Sequence, residues 1–328
     1  MLRERYEITG VAGQGGMAVV YTATDKTTGQ CVAIKQMGMF ADTPEDLALA
    51  IAQFEHEAQL LHALSNDNIP RVYEWFEEHD DRFLVMDFID GELLSKLSDI
   101  GKGEHKPEFL PEAATVANWA VQITRALHYL HSQKPRPIIY KDLKPDNLML
   151  DRRGRVMLLD FGIAKGRDNQ GQYKTIFKGL VTPGYAPPEQ YSGIATDPRS
   201  DLYALGATLY ALLSGRIPPQ SVDRQSSLIS RLGDPLVPLR KLNPSVSPAF
   251  EALVTHLMVL KRDFRVQNAE LVLHALEALP ERASTSDAAA TAAPEGSRST
   301  SPRRATIYAL FLVMLVAAGC AWLLWWYL

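Results

Sequence analysis

The sequence has little cysteine, with Cys31 and Cys320 alone among 328 residues. Cys31 lies in an apolar run and Cys320 in an uncharged tail, so no disulfide is expected and the surroundings are predicted to be reducing. The eight histidines show no metal-ligand spacing, which argues against a metal site built on histidine. Positive charge is not in excess either. The net charge of −4 argues against a protein that holds nucleic acid by bulk charge, and no nucleic-acid partner is expected.

The N-terminus lacks a secretory signal, because the charged residues Met1–Tyr6 are not followed by an apolar segment. With 46% hydrophobic and 22% charged residues, the composition excludes disordered, collagen-like and disulfide-scaffold proteins. The average hides a split along the chain. Residues 281–328 hold four of the 34 basic and three of the 38 acidic residues, which leaves residues 1–280 with a balance of −5.

The last 22 residues, 307–328, carry no charge. As a helix they would span roughly 33 Å, about one bilayer core, with Trp and Tyr at the far end, where aromatic belts form. Arg303 and Arg304 precede them, which predicts a cytoplasmic N-terminal side. A buried core helix is the alternative, but soluble helices of this length need polar positions. We therefore predict a single transmembrane helix that contacts membrane lipid and holds the remainder at the inner face of the cell membrane, with no domain beyond Leu328.

Residues 281–306 are rich in Ala, Ser, Thr and Pro and contain no large aliphatic side chain. Such a segment cannot offset the entropy lost on ordering, so a flexible linker is predicted. The root-mean-square span of its 26 residues is on the order of 28 Å. Residues 1–280 are therefore expected to work close to the membrane.

The pattern of residues 1–280 predicts two lobes of an α+β fold. Residues 1–90 are predicted to form a small antiparallel β lobe plus one helix, with strands at 6–11, 19–24, 31–35, 72–76 and 82–88 and a helix at 44–64. Residues 91–280 are predicted to form a larger, mainly helical lobe, with helices at 111–132, 202–214, 250–260 and 269–279. The cleft between two such lobes is the default place for a ligand.

Two features of the small lobe are weak evidence when each is taken alone. The glycine-rich turn at 13–16 is a tight hairpin as readily as a phosphate cradle, and it is not a Walker loop because strands flank it. Lys35 lies inside an apolar strand, and Glu57 lies on the apolar stripe of the predicted helix. A desolvated charge needs a partner of opposite charge, so Lys35 and Glu57 are predicted to pair with each other.

Three further motifs complete a set: YKDLKPDN at 140–147, DFG at 160–162 and TPGYAPPE at 182–189. Their order after the glycine loop and the VAIK segment at 32–35 matches the protein-kinase signatures. Residues 1–275 closely resemble the eukaryotic-like (Hanks-type) serine/threonine protein kinases of bacteria, specifically the membrane-anchored ones. The resemblance implies a bilobal protein-kinase fold, ATP and Mg²⁺ as cofactors with Mn²⁺ as the alternative metal, and phosphorylation of Ser and Thr on protein substrates.

The resemblance also implies roles for individual residues. Asp142 would accept or orient the proton of the substrate hydroxyl, Lys144 would lie near the γ-phosphate, and Lys35 would contact the α- and β-phosphates. Glu57 would hold Lys35 in place, and the oxygen ligands Asn147 and Asp160 would bind the metal. The residues implied to surround the nucleotide are Gly13, Gly15, Val20, Ala33, Met86, Asp87, Ile89 and Met149.

Structural roles are implied for a buried pair, Glu189 with Arg265, and for Asp201, which would hold the backbone of the catalytic loop. Thr182 would line the substrate site and form a hydrogen bond towards Asp142. Thr175 is the candidate autophosphorylation site, for which a homodimer is one arrangement.

The sequence departs from the family pattern at three positions. Ala18 replaces the third loop glycine, at little expected cost. Tyr140 replaces the usual His and is expected to pack on Phe161. Lys141 replaces an Arg that can grip an activation-loop phosphate with two parallel hydrogen bonds, which lysine cannot reproduce. Either no loop phosphate is needed, or Lys141 makes a weaker contact.

Two other functions stay open at this point. A catalytically dead kinase fold could act as a membrane scaffold, although Lys35, Asp142 and Asp160, which dead versions usually lose, are all present. A small-molecule phosphotransferase on the same fold is the second alternative, and the segment 182–189 speaks against it.

Overall fold

A computed structural model describes residues 1–14, 18–37, 43–79, 81–98, 100, 110–160 and 181–282. The small lobe is a five-stranded antiparallel sheet with strand order β1-β2-β3-β5-β4 and one long helix, α1, packed beside β4. Its elements are β1 (Tyr6–Gln14), β2 (Ala18–Asp25), β3 (Cys31–Met37), α1 (Pro44–Ala63), β4 (Val72–Glu78) and β5 (Asp81–Asp87).

Alternation along the strands gives this sheet two apolar faces. On β5, Phe83 and Val85 point into a cluster on one side of the sheet, whereas Leu84 between them packs into the main core on the other. Phe54 and Leu61 of α1 belong to that main core. The helix therefore covers one face of the sheet and lies next to the cleft.

The large lobe is mainly helical, with a three-stranded sheet at its upper edge. Its elements are β6 (Gly91–Leu93), α2 (Leu94–Leu97), α3 (Ala113–His131), β7 (Leu148–Asp151), β8 (Val156–Leu158), α4 (Pro188–Tyr191), α5 (Pro198–Ser214), α6 (Ser221–Ile229), α7 (Leu239–Leu242), α8 (Pro248–Leu257) and α9 (Ala269–Glu277).

Helix α5 is the centre of this lobe, because every residue from Ser200 to Ser214 is buried. A helix that is apolar on all sides requires neighbours all round, and α3 and α8 supply them. Its start is set by Asp197 and Ser200, which form a capping box, and by Pro198 in the first turn. Its end is set by Gly215 in the left-handed conformation (φ 66°). This rigid helix carries Asp201 into the interior.

The predicted bilobal α+β fold is confirmed, and the ten strands and helices predicted in residues 1–280 all occur within a few residues of their predicted bounds. Beyond them, the small sheet β6-β7-β8 and helices α2, α4, α6 and α7 were not predicted, since short elements give little periodic signal. One correction concerns the linker predicted to begin at residue 281. Glu281 belongs to the folded lobe, because its Oε1 accepts a hydrogen bond from the Ser247 backbone N at 2.9 Å. Composition alone does not show such a contact.

The rest of the predicted linker and the predicted transmembrane helix, residues 283–306 and 307–328, lie outside the described residues. Within the described ranges, which end at Arg282, no helix has the length and apolar character needed to cross a membrane.

Candidate active site

A cleft lies between the two lobes. It is largely apolar at its inner end and carries charged groups, Lys35 and Asp160, at one side. Eight of the residues predicted to contact nucleotide or metal line it: Val20, Ala33, Lys35, Met86, Asp87, Ile89, Met149 and Asp160. A concave apolar site with a few convergent polar groups suits a ligand that has a flat base and a charged end.

Strand register explains how distant residues meet here. Val20 on β2 lies opposite Lys35 on β3, and Ala33 lies opposite Met86 on β5. Gly13 near the end of β1 lies opposite Val20. Apart from its chain neighbours, no atom of the described residues lies within 4 Å of the position a Cβ would take. The glycine therefore leaves its backbone open to a close approach. Gly15 lies outside the described residues.

An ion pair across the cleft joins the two lobes, because Lys35 Nζ donates a hydrogen bond to Asp160 Oδ1. The Lys35 side chain is mostly buried, whereas that of Asp160 is 59% exposed. Glu57 lies on α1, but its side chain is outside what the structure describes, so the Lys35–Glu57 pair stays a prediction. The same holds for Thr175, which falls in the undescribed range 161–180.

Asp142 is held by three side chains at the mouth of the cleft. Thr182 Oγ1 donates to its Oδ1 at 2.6 Å, and Lys144 Nζ and Asn147 Nδ2 donate to its Oδ2 at 2.9 and 3.0 Å. Burial raises the pKa of this carboxyl, but the Lys144 charge and these hydrogen bonds outweigh burial and keep the pKa below its ordinary value. The group is therefore an ionised acceptor, fixed in orientation, at neutral pH.

Asn147 and Asp160 offer oxygen atoms to a cation. The Asn147 amide nitrogen is engaged by the backbone and side-chain oxygens of Asp142, at 2.8 and 3.0 Å, so its amide oxygen is the atom left for a ligand. Asp160 adds an exposed carboxylate. Amide and carboxylate oxygens fit a hard divalent cation such as Mg²⁺.

The catalytic-loop backbone is fixed from below by Asp201, which is completely buried. Its carboxylate accepts hydrogen bonds from the backbone N of Tyr140 at 2.9 Å and of Lys141 at 2.8 Å, and His131 Nε2 lies 2.8 Å from it. Lys141 is in the left-handed region (φ 71°), which is strained for a residue with a Cβ. Gln190 also donates to the Lys141 carbonyl oxygen, at 2.9 Å. These contacts hold the strained turn that presents Asp142.

Tyr140 is completely buried below the cleft. Its hydroxyl donates to the Leu159 carbonyl oxygen at 3.2 Å, so it links the catalytic loop to the residue before Asp160. Burial raises its pKa well above the ordinary value, which keeps the phenol protonated. The expected contact with Phe161 lies outside the described residues.

Glu189 and Arg265 form a buried ion pair in the large lobe. Arg265 Nη1 donates to Glu189 Oε1 at 2.8 Å, and Nη2 donates to Oε2 at 3.3 Å. Ser200 Oγ adds a third bond to Glu189 at 2.9 Å. Burial raises the pKa of Glu189, but the bonds and charge of Arg265 outweigh it and the pKa lies below its ordinary 4.5. The pair fastens the segment after Thr182 to the core.

Sequence reasoning missed several residues of this site. The cleft is also lined by Ala12, Leu61, Pro70, Val72, Leu84, Phe88 and Leu159. Leu84 could have been found, because it lies two positions before Met86 on one strand and so shares its face. For His131 and Gln190 the sequence gives no signal, because their partners are 70 and 49 positions away.

Residues 6–276 match the family model described as "Protein kinase domain". "Probable serine/threonine-protein kinase SCO3848" of Streptomyces coelicolor is 35% identical over 273 residues, covering 81% of this chain and 38% of that protein. "Serine/threonine-protein kinase PrkC" of Bacillus subtilis is 32% identical over 267 residues, covering 81% and 39%. This chain thus spans about two fifths of the length of these relatives.

A solved structure, "PpkA-294 apo form", superposes with a TM-score of 0.68 at 25% identity, covering 83% of this chain and 96% of that one. The family match and the fold agree with the geometry of the cleft, the fixed Asp142 carboxylate and the buried Glu189–Arg265 pair. The chain belongs to the protein kinase domain family.

Proposed function

We propose that this chain transfers the γ-phosphate of ATP to serine and threonine hydroxyls of proteins, at the inner face of the cell membrane. The arrangement around Asp142 carries the proposal. An ionised carboxylate is held by Lys144, Asn147 and Thr182 at the mouth of a cleft whose far side carries the Lys35–Asp160 pair. The relatives named above as serine/threonine protein kinases support the same reaction.

In this reaction the cleft binds the base of ATP between the β-sheet and Met149, with the backbone of Asp87 and Ile89 as hydrogen-bonding groups. Lys35 neutralises phosphate charge. Asn147 and Asp160 would hold Mg²⁺, with Mn²⁺ as the alternative, and the metal would neutralise charge on the phosphates. Gly13, and by the same resemblance Gly15, bring backbone amides close to the phosphates.

As the hydroxyl oxygen bonds to the γ-phosphorus, the bond between that phosphorus and the β,γ-bridging oxygen breaks and ADP leaves. Asp142 accepts the proton of the attacking hydroxyl. Its lowered pKa makes it a weak base, so its contribution is mainly orientation of the hydroxyl, which suits a reaction that depends on positioning. Lys144 Nζ lies 2.9 Å from Asp142 Oδ2. From there its positive charge can contact the phosphoryl group during transfer.

Protein acceptors, rather than small molecules, are proposed because Thr182 begins a docking segment that is locked to the large lobe. Arg265 fixes Glu189, and Ser221 Oγ donates to the Ala186 carbonyl oxygen at 2.8 Å. A segment held at both points offers a fixed surface on which a polypeptide can lie.

We expect transfer from ATP to a generic protein acceptor such as casein, and only background transfer to sugars and aminoglycosides. Because the phosphates need a divalent cation, excess EDTA should abolish transfer, and Mg²⁺ or Mn²⁺ should restore it. The measurement is incorporation of γ-phosphate label. Transfer confined to small molecules, or transfer unaffected by EDTA, would contradict the proposal.

Replacing Thr182 by Val should lower kcat on the order of tenfold, because one hydrogen bond to the Asp142 carboxylate is lost. Thr182→Ser keeps the hydroxyl and is the matched control, with activity close to wild type. Steady-state kinetics of both variants test this expectation. A Val variant as active as the Ser variant would show that the bond does not orient Asp142.

Regulation by loop phosphorylation is proposed at Thr175, between two copies of the chain in a homodimer. Lys141 would then meet the phosphate as a single point charge. Phosphorylation of Thr175 is therefore expected to raise activity less than it would if position 141 were an arginine.

Anchoring in the membrane is proposed from residues 307–328, which are uncharged and preceded by two arginines. The full chain should sediment with membranes, resist extraction by alkaline carbonate and dissolve in detergent. Tryptic digestion of sealed, inside-out vesicles should remove the kinase domain. Recovery in the supernatant without detergent would rule the anchor out.

A further inference from the structure

Two apolar side chains, at the end of α6 and just after it, are exposed to solvent. Leu232 is 81% exposed and Ile229 is 77% exposed, the highest values for large apolar residues in the described ranges. Leu228 and Val237, each 38% exposed, lie close by in the sequence. We call these four residues the α6 patch. Exposed apolar side chains that are grouped on one segment indicate a candidate interaction surface.

The backbone holds the tip of the α6 patch outward. Leu232 N donates to Ser227 O at 2.9 Å and Arg231 N donates to Leu228 O at 3.1 Å, which is a Schellman-type helix end. Arg231 occupies the left-handed position (φ 57°), where glycine is usual, and Gly233 is left-handed as well (φ 82°). In this motif the residue at the position of Leu232 commonly packs back on the helix, whereas Leu232 is exposed here. Strain of this kind collects at functional sites.

The sequence from 228 to 247, which contains the α6 patch, holds more basic than acidic residues. Arg231, Arg240 and Lys241 are all exposed. Asp234 is the acidic residue between positions 228 and 247 and pairs with the buried Arg224 at 2.7 Å, and Glu251 of α8 accepts a hydrogen bond from the Arg240 backbone N at 2.8 Å. This segment stands out in a domain with an overall balance of −5. Apolar side chains flanked by cations fit the headgroup region of an anionic bilayer.

The chain leaves the domain close to this segment. Arg240 Nε donates to Val246 O at 3.2 Å, and the next residue, Ser247, donates its backbone N to Glu281 at 2.9 Å. From Arg282, 24 residues lead to the apolar segment 307–328. Their root-mean-square span as a flexible chain is about 27 Å. A bilayer that holds residues 307–328 is therefore within reach of the α6 patch, and the short tether keeps the local lipid concentration high.

We propose that the α6 patch inserts into the headgroup region of an anionic leaflet, so that the kinase domain lies against the membrane in one orientation. This inference rests on the anchoring proposed above. Ser221, at the start of α6, forms a hydrogen bond with the substrate-docking segment at Ala186. Along α6, Ser221 lies about 12 Å from Ile229. The docking segment would thus face substrates that lie at the membrane surface.

The test uses the full chain carrying Cys31→Ser and Cys320→Ser, with Ser230→Cys labelled by a polarity-sensitive fluorophore and the protein reconstituted in nanodiscs. In discs rich in phosphatidylglycerol, the label should shift to the blue and be quenched by spin-labelled lipid. Ile229→Ser with Leu232→Ser should remove both effects without changing phosphorylation of a soluble peptide. A label at Arg153→Cys, in the exposed turn between β7 and β8, is the matched control and should report water.

If the protein enters the nanodiscs but the label at position 230 shows no blue shift and no quenching, as at the control position, the membrane contact of the α6 patch is overturned. The proposed anchor is then unaffected. A blue shift that needs two copies per disc, whatever the lipid, would assign the α6 patch to a second copy and also overturn that membrane contact. If the chain does not enter nanodiscs, the anchor is wrong, and the labelled protein is then mixed with phosphatidylglycerol vesicles. A blue shift on those vesicles supports the patch, and none refutes it.

Discussion

Asp142→Asn should lower kcat by roughly 10²- to 10⁴-fold, the range expected when a group that takes a proton in the transition state is lost. Asparagine keeps the shape of the side chain, so the loop held by Asp201 should keep its conformation. The affinity for ATP should change little, because Asp142 lies at the mouth of the cleft rather than among the residues that line it. Single-turnover kinetics and nucleotide titration measure the two quantities separately.

Asp146→Asn is the matched control for this variant. Asp146 lies in the same short turn as Asn147 and is exposed, so removing its charge should leave kcat within a few-fold of wild type. Equal losses in the two variants would mean that the loop tolerates no change of charge, and the specific role of Asp142 would be refuted.

Arg265→Met should be the most destabilising single change, at about 3–5 kcal/mol, because it leaves Glu189 as a buried charge without its cation. The melting temperature should fall by roughly 10 °C. Arg262→Met is the matched control, since Arg262 pairs with Asp197 at 3.2 Å near the surface, with side chains about 29% and 30% exposed. Its cost should be about 1 kcal/mol or less.

The destabilisation by Arg265→Met should also depend on pH. The pKa of Glu189 is lowered in the folded protein, so the pair stabilises the fold above about pH 4.5, where the carboxyl would be ionised when unfolded. This contribution is lost as the pH falls through the folded pKa. The difference in free energy of unfolding between the wild type and Arg265→Met should therefore narrow below pH 4.5. A difference that stays constant as the pH falls below 4.5 would contradict the role of the Glu189 charge.

Much of the fold was open to prediction because it rests on local pattern. The alternation of β3 and the apolar stripe of α1 give periodic signals, and both elements occur where they were predicted. The structure places Thr182 next to Asp142 and Glu189 against Arg265, as the resemblance implied. These residues lie in motifs whose order can be recognised in one sequence.

Other parts of the site depend on tertiary packing and were not predictable. The approach of His131 to Asp201 needs α3 to pack on α5, which no spacing in the sequence encodes. The left-handed Lys141 gives no sign of its conformation, because the strain is held by contacts from Asp201 and Gln190. Glu281 was assigned to the linker because it is polar and adjoins the Ala- and Ser-rich segment, but it forms a hydrogen bond with Ser247 of the large lobe.

The most direct test of the central claim is phosphoamino-acid analysis of a protein acceptor incubated with the full chain, ATP and Mg²⁺. A serine/threonine kinase that works through Asp142 should place label on serine or threonine with the wild-type chain and leave label at background with Asp142→Asn. No label with the wild-type chain, label on tyrosine alone, or equal label with the Asp142→Asn variant would contradict it.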